Sequence, residues 1–355
     1  MKKSTIAALL AVFTVLLICL LSADDEAITA TAKPVINAPV TQPKSVREKQ
    51  SNTKQAMSSD TSAVKQLAFF NDDLTKAAQL VAIQYQHTLQ FPPYSQPLTE
   101  ADEDRLQANK FYPVTSPLDE QGGALTLNLE QYRYVYPEDI RLTVNAKGLT
   151  NIVVELTNTD SKDILATQKQ YAQQDHIDVT FKAQEDYPRN LQVFVNANVS
   201  GKQVPVVAQI QYMSASATLT RFNNAYAHNE NMVVTAQLTV IEEGLYRIRA
   251  NLYVAGLPVA HLVAKKRLDE GKQTVDLKAH WSVLSERSRS LRLQDFVIER
   301  MSPSPAEPNR FGDSEIHFFD ITDFAYDSLQ QLPYQATEQE QQSLDFLNRL
   351  AVPAS

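Results

Sequence analysis

The strongest constraint on the fold is a change of hydrophobic period at Ala124, after which apolar residues recur at every second position. Such alternation is typical of strands that bury one face. Polar turns separate the runs at intervals of roughly 8 to 14 residues, which is the spacing of a β-sandwich. The runs between 124 and 214 are ALTLNLEQ, IRLTVNA, IVVELTN, DILATQKQY, HIDVTFKA, LQVFVNANV and QVPVVAQIQYM.

A second series of β-type runs occupies 215–330. Its clearest member is LYRIRANLYV, which places Tyr246, Ile248, Ala250, Leu252 and Val254 on one face and Arg247, Arg249, Asn251 and Tyr253 on the other, so one of the two faces is core. The sequence therefore predicts a mainly β chain with two β-sandwich domains of the immunoglobulin-like or fibronectin-like kind in tandem, 124–214 and 215–330.

The N-terminus predicts export. Lys2 and Lys3 precede an uncharged apolar run over 6–23, which is long for a cleaved signal and close to the length of a membrane span. Two alternatives stay open. Residues 1–23 are a signal anchor that holds periplasmic domains at the bacterial inner membrane, or they are a signal peptide removed near Ala23, which leaves a soluble periplasmic or secreted protein.

Cysteine usage favours a bacterial envelope. The only cysteine, Cys19, lies inside the apolar run, so no disulfide and no cysteine metal site is available downstream. Residues 24–66 are rich in Thr, Ser, Ala, Pro and Gln and predict a disordered tether between the membrane and the folded part.

Residues 67–123 predict one amphipathic helix over 71–89, capped by Asn71 or Asp72, followed by a proline-rich connector. Pro92 cannot continue the helix. The connector, QFPPYSQPL, then carries the apolar side chains of Phe91, Tyr94 and Leu98 on a stiff backbone. These side chains either pack against the first β domain or dock a partner.

Residues 331–355 predict a C-terminal helix. Thr337 and Glu340 have the spacing of a capping box, and leucines at 344, 347 and 350 recur on one side. We expect this side to dock on a sandwich.

The sequence lacks the motifs of common enzymes. With 8 glycines it has neither a phosphate loop nor a dinucleotide fingerprint, and its 6 histidines are scattered without metal-ligand spacing. The net charge of −8 argues against nucleic acid as a partner. We therefore expect no enzymatic activity, no catalytic residues, no metal and no cofactor.

Two stretches carry a resemblance to known proteins. EEGLYRIRANLYVAGLPVAHLVAKKRLDEGKQTVDL, over 242–277, and FPPYSQPL, over 91–98, resemble uncharacterised cell-envelope proteins of Gram-negative bacteria that have Ig-like β-sandwich accessory domains. The resemblance implies a fold and a compartment, and it implies no catalytic residues.

The leading functional prediction is a tethered protein that acts in protein–protein interaction or structural support, with an envelope protein as partner. The alternative is a polysaccharide-binding protein of the bacterial envelope, because β-sandwiches often present aromatic rings such as Trp281 to sugars. The candidate interaction residues are Phe91, Tyr94, Leu98, Arg247, Arg249, Tyr253 and Trp281.

Overall fold

The computed structural model describes residues 61–119, 122–284 and 290–352, with the backbone alone for 61–73. The predicted signal or membrane segment, 1–23, and the tether up to residue 60 lie outside the described residues. Within the described ranges, no helix is both long enough and apolar enough to cross a membrane.

The helix before the connector is longer than predicted. Helix α1 spans Thr61–Thr88, so residues 61–66 belong to a helix and not to the tether. Asn71 and Asp72 therefore lie within the helix and do not cap it. The reason is local, because the segment AVKQLAFF contains good helix formers and neither glycine nor proline.

The connector contains a short strand, β1, which spans Ser95–Pro97, and a short helix, α2, follows it over Glu103–Leu106. The C-terminal helix, α3, spans Glu338–Leu350 and has the predicted capping box between Thr337 and Glu340.

The predicted runs of the first series all lie in strands. Two sheets, ordered β2-β3-β5-β8 and β4-β10-β9-β6-β7, enclose one apolar core, and we call them the first sheet pair. Their strands are β2 (Val114–Pro117), β3 (Ala124–Leu129), β4 (Arg133–Val135), β5 (Ile140–Asn145), β6 (Leu149–Asn158), β7 (Ile164–Tyr171), β8 (His176–Phe181), β9 (Asn190–Val199) and β10 (Lys202–Met213).

The second series behaves in the same way and forms a second core. One sheet is ordered β19-β11-β13-β16, with β12 also beside β13, and the other is ordered β1-β15-β14-β17, with β18 and β20 beside β17. These sheets are the second sheet pair. Their further strands are β11 (Ala217–Phe222), β12 (Tyr226–His228), β13 (Asn231–Val240), β14 (Gly244–Val254), β15 (Leu257–Leu268), β16 (Gly271–His280), β17 (Leu291–Arg300), β18 (Arg310–Phe311), β19 (Asp313–Ser314) and β20 (Phe318–Ile321).

The two sheet pairs repeat one strand order. The order β7-β6-β9-β10 in the first pair corresponds to β15-β14-β17-β20 in the second, and β3-β5-β8 corresponds to β11-β13-β16. Turns explain part of this regularity. Ser200-Gly201 and Ala255-Gly256 all have positive φ, which suits two-residue turns between twisted antiparallel strands. The chain is thus mainly β and sandwich-like.

The connector packs on a different part of the molecule from the one predicted. Strand β1 pairs antiparallel with β15 of the second sheet pair, and not with the first β domain. Strand β14 pairs with one side of β15 and leaves the other side free. The extended YSQPL backbone pairs with this free side, where it satisfies the backbone hydrogen-bonding groups of β15.

The C-terminal helix also docks elsewhere. Leu347, with 7% of its surface exposed, packs with Ala82 and Tyr85 of α1, and Leu344 packs against this cluster. The predicted docking on a sandwich is therefore wrong. Two amphipathic helices bury their apolar sides against each other, which a leucine pattern alone does not distinguish from docking on a sheet.

Candidate interaction surface

The connector binds the second sheet pair as an added strand. Ser95, Gln96 and Pro97 of β1 lie opposite Leu262, His261 and Ala260 of β15. Backbone hydrogen bonds extend the pairing beyond both ends of β1. The Leu98 N–H donates to the Val259 carbonyl at 3.1 Å, and the Val263 N–H donates to the Tyr94 carbonyl at 3.0 Å. We call residues 94–98 the strap.

Side chains of the strap reach both sheets of the second pair. The Ser95 side chain is fully buried, and its Oγ accepts a hydrogen bond from the His280 N–H at 3.0 Å, at the end of β16. The Tyr94 hydroxyl donates to Oδ1 of Asn231 at the start of β13, 2.9 Å away. Burial raises the pKa of Tyr94. The strap therefore fills the gap between β15 and β16.

Trp281 lies next to this gap. It begins a 3-10 helix, Trp281–Val283, that directly follows β16. Its indole N–H donates to the carbonyl of Leu332, and its ring lies 5.9 Å from the ring of His280. Trp281 is half-buried, so much of its ring is engaged by the chain itself.

The predicted arginines lie on the outer face of β14 in a buried ion-pair cluster. Glu299 of β17 is 2% exposed, and its Oε2 accepts from Nη2 of Arg247 at 2.7 Å and from Nη2 of Arg249 at 3.3 Å. Its other oxygen accepts from Nδ2 of Asn309 at 2.7 Å. Both oxygens of the buried carboxylate thus accept hydrogen bonds, which offsets the cost of burying its charge.

A second polar cluster follows along the same face of β14. Asn251 is fully buried and donates through Nδ2 to Oδ2 of Asp295, at 3.0 Å, and to the Arg105 carbonyl, at 2.8 Å. The Tyr253 hydroxyl donates to the same carboxylate at 2.6 Å. Since Asn251 donates through Nδ2, its Oδ1 accepts from Nδ1 of His261, 2.7 Å away.

This environment shifts the titration of the cluster. Burial, reinforced by the positive charges of Arg105, Arg249 and Arg247, lowers the pKa of His261 to about 4. Burial and the Asp295 carboxylate raise the pKa of Tyr253 to about 12. Both groups are therefore neutral near pH 7, and they serve the hydrogen-bond network instead of carrying charge.

A cleft of 360 Å³ separates the two sheet pairs beside the ion-pair cluster. Arg133 of β4 lies in it, with its guanidinium 4.3 Å from the ring centre of Phe311. Nearby, Nη2 of Arg189 donates to the Asn309 carbonyl at 2.7 Å. The ends of the first sheet pair thus hold the second pair through arginine contacts.

The structure gathers the predicted residues into two groups. Tyr94, Leu98 and Trp281 lie at the gap that the strap fills, with half-buried Phe91 just before it, whereas Arg247, Arg249 and Tyr253 share the outer face of β14. The sequence pattern missed Ser95, Asn251, Asp295 and Glu299. The alternation does not mark Asn251, because it lies on the polar face of β14 with Arg247 and Arg249, and the buried role of Glu299 depends on the pairing of β17 with β14.

The histidines do not form a metal site within the parts of the chain that are described, since no three His, Cys, Asp or Glu side chains come together there. His261 is held by Asn251, and Nδ1 of His280 lies 2.7 Å from the Ser282 hydroxyl.

The first sheet pair leaves the outer edge of β7 open. In the described part of the chain, β6 is the one strand that pairs with β7. Apolar side chains are exposed along it: Ile164 is 57% exposed, Leu165 36% and Tyr171 80%.

Comparisons with known proteins give only distant similarities. Neither a family model nor a curated protein matches the chain. A DUF4785 family protein from Legionella pneumophila is 12% identical, with a TM-score of 0.38 over 50% of this chain and 52% of that one. A calcium-binding mutant of Bacteroides uniformis β-glucuronidase 2 is 11% identical, with a TM-score of 0.25 over 44% and 28%. The BSP domain of a biofilm associated protein is 8% identical, with a TM-score of 0.20 over 62% and 31%.

The chain spans about half the length of the first of these structures. Similarities at such TM-scores do not indicate an activity or a partner for this chain.

Proposed function

We propose that the protein is a non-enzymatic envelope protein, tethered to the membrane through residues 1–23 or exported, that acts in protein–protein interaction or structural support. Its two sheet pairs are read as tandem Ig-like domains, which the repeated strand order supports. In the tethered form, residues 24–60 link the span to the folded part in the periplasm.

The observation that carries this proposal is the strand addition of β1 to β15. A sheet edge of this chain demonstrably accepts an extended segment, with main-chain hydrogen bonds at both ends and a buried serine between them. Strand addition is a common mode of protein recognition, because main-chain bonds supply affinity and side-chain pockets supply specificity.

The polar clusters on β14 support a structural role rather than a catalytic one. The Glu299 carboxylate binds Arg247, Arg249 and Asn309, and the Asn251 cluster ties helix α2, just after the connector, to the sheet through the Arg105 carbonyl. These groups are used to fix the connector and the sheet pairs to each other. A chain held in this way transmits force or position between a membrane and a partner.

The polysaccharide alternative has less support. Stacking on a sugar needs an open aromatic face, and the half-buried Trp281 gives its indole N–H to the Leu332 carbonyl. This alternative is kept as an outcome of the test.

The test is crosslinking in the native cell with the tagged full-length chain, followed by solubilisation, purification and mass spectrometry. We expect an envelope protein in fixed ratio to the chain. A chain recovered without a protein companion, but retained on envelope polysaccharide in a pull-down and released by Trp281→Ala, would overturn the proposal.

A further inference from the structure

We propose that the outer edge of β7 over residues 164–167, called the open edge, binds an extended segment of a partner protein by strand addition. This inference rests on the proposed function and names its binding surface. The open edge of the first sheet pair corresponds to the edge of β15 with which the strap pairs in the second.

Strands β7 and β15 hold equivalent places in their sheets. β7 ends its sheet order, β15 is followed on its outer side only by the short β1, and the next strand along the chain, β8 or β16, belongs to the other sheet of the pair. In both connections a side chain crosses to the following strand. Nε2 of Gln168 donates to the Thr180 carbonyl at 2.7 Å, and Nζ of Lys266 donates to the Thr274 carbonyl at 2.8 Å. Next to each connection, a side chain therefore bridges the two sheets of the pair.

The two sheet pairs differ at the other end of these strands. In the second sheet pair β1 lies there, against residues 260–262 of β15, and its Ser95 hydroxyl accepts a hydrogen bond from the end of β16. The corresponding end of β7 begins at Ile164. Among the described residues no strand lies on its outer side. The fold thus has two equivalent sheet edges, and within the described residues the chain itself pairs with one of them.

The surface of the open edge is uncharged. Its residues, Ile164, Leu165, Ala166 and Thr167, include neither a charge nor a proline, two of the protections that sheet edges use. The register with β6 shifts at Leu165, which is the extra residue of a β-bulge. Ile164 and Leu165 are adjacent and exposed, at 57% and 36%. An edge with unpaired main-chain groups and exposed apolar side chains favours pairing with another strand.

The strap indicates the chemistry of the partner segment. It is extended, and it has one small polar side chain that faces the gap, Ser95, between larger groups, Tyr94 and Leu98. Its proline is compatible with an edge strand, where an N–H is not required on the solvent side. The partner therefore presents an extended aromatic–small–x–Pro–aliphatic segment, or one close to it.

The experiment uses the purified full-length chain and a fluorescent synthetic peptide with the sequence of residues 90–100, QFPPYSQPLTE. Fluorescence anisotropy gives the dissociation constant, and hydrogen exchange locates the protected amides. Thr167→Pro removes a main-chain donor from the open edge, and Leu165→Glu adds a charge to it. The matched control is Leu257→Glu, at a 60% exposed leucine that begins β15 in the other sheet pair. A scrambled peptide controls for sequence.

We expect the peptide to bind saturably and to protect amides of β7 from exchange. Thr167→Pro and Leu165→Glu should each raise the dissociation constant at least about tenfold, and Leu257→Glu should leave it unchanged. Thermal unfolding checks that the variants fold. If one edge variant does not fold, the other is sufficient for the test. Absence of saturable binding, protection in β15 in place of β7, or unchanged binding by the folded edge variants would overturn the inference.

The same variants separate this inference from the proposed function. If Thr167→Pro still recovers the envelope companion from cells in fixed ratio, the open edge is wrong as the binding surface while the interaction function stands. If the unaltered chain has no companion, the proposed function itself fails.

Discussion

The hydroxyl of Ser95 accepts a hydrogen bond from the backbone N–H of His280, although the two residues are 185 positions apart in the chain. Ser95 is fully buried and belongs to the connector, whereas His280 ends a strand of the second sheet pair. One serine therefore couples the proline-rich connector to the β part of the molecule.

Ser95→Ala should destabilise the chain by about 1–3 kcal/mol, because it leaves the buried His280 N–H without an acceptor. The measurement is the free energy of unfolding by urea titration. Ser214→Ala, at an exposed serine just before β11, is the control and should change stability by less than about 0.5 kcal/mol. Equal stability of the two variants would show that the Ser95–His280 hydrogen bond does not contribute to folding.

Glu299→Gln should be more costly. It leaves Arg247 and Arg249 without their shared carboxylate, and loss of one partner of a buried pair costs about 3–5 kcal/mol. The two arginines keep 33% and 24% of their side-chain surface exposed, so solvent offsets part of this cost and we expect about 2–3 kcal/mol.

The control for Glu299→Gln is Asp320→Asn, which breaks the exposed pair with Arg292. We expect its unfolding midpoint to match that of the unaltered chain. If both substitutions shift the midpoint equally, the Glu299 cluster is not a determinant of stability.

Much of the β architecture can be predicted from the sequence, and the runs that alternate with period two all lie in strands. Tyr246, Ile248, Ala250 and Leu252 share one face, as predicted, and the structure shows that this face is the core. The outer face of β14 could not be predicted, because its burial depends on Arg105 and Glu299, which are distant in sequence. Alternation tells which residues share a face, and it does not tell what covers the second face.

The predicted packing partners of the connector and of the C-terminal helix were both wrong, for the same reason. Phe91, Tyr94 and Leu98 predict an extended apolar segment, and Leu344 and Leu347 predict an amphipathic helix, but neither pattern identifies its partner. The partner of β1 is set by the unpaired edge of β15, and the partner of α3 is set by α1. Both depend on the assembled fold.

Leu347→Ala should release the C-terminal helix while leaving the sheets intact. Leu347 packs with Ala82 and Tyr85 in a cluster separate from the two β cores. Truncating a buried leucine costs about 2–5 kcal/mol, and in so small a cluster we expect about 2 kcal/mol of local opening. Hydrogen exchange should therefore accelerate over Glu338–Leu350. Phe346→Ala, at the neighbouring residue that is 47% exposed, should leave exchange there unchanged. Acceleration that extends into β6 and β14 would contradict a separate helical unit.

His261 should make the chain less stable in acid. Its folded-state pKa, about 4, lies below its ordinary value of 6.5, because burial and Arg105 disfavour the charged ring. Between about pH 6.5 and pH 4 the unfolded chain therefore binds a proton at this site that the folded chain does not bind. The contribution of the neutral ring is fully present above pH 6.5 and is lost as the pH falls towards 4.

His261→Gln keeps a donor for Oδ1 of Asn251 but does not titrate, so its urea midpoint should decline less than that of the unaltered chain on acidification from pH 7 to pH 4. His176→Gln, at an exposed histidine of β8, is the control and should follow the unaltered chain. His280 is a second contributor, since burial lowers its pKa as well, and His261→Gln should therefore remove part of the acid sensitivity and not all of it. Parallel declines for His261→Gln and the unaltered chain would mean that His261 is protonated in the folded state, and that Asp102, the carboxylate facing it, outweighs burial and the arginines.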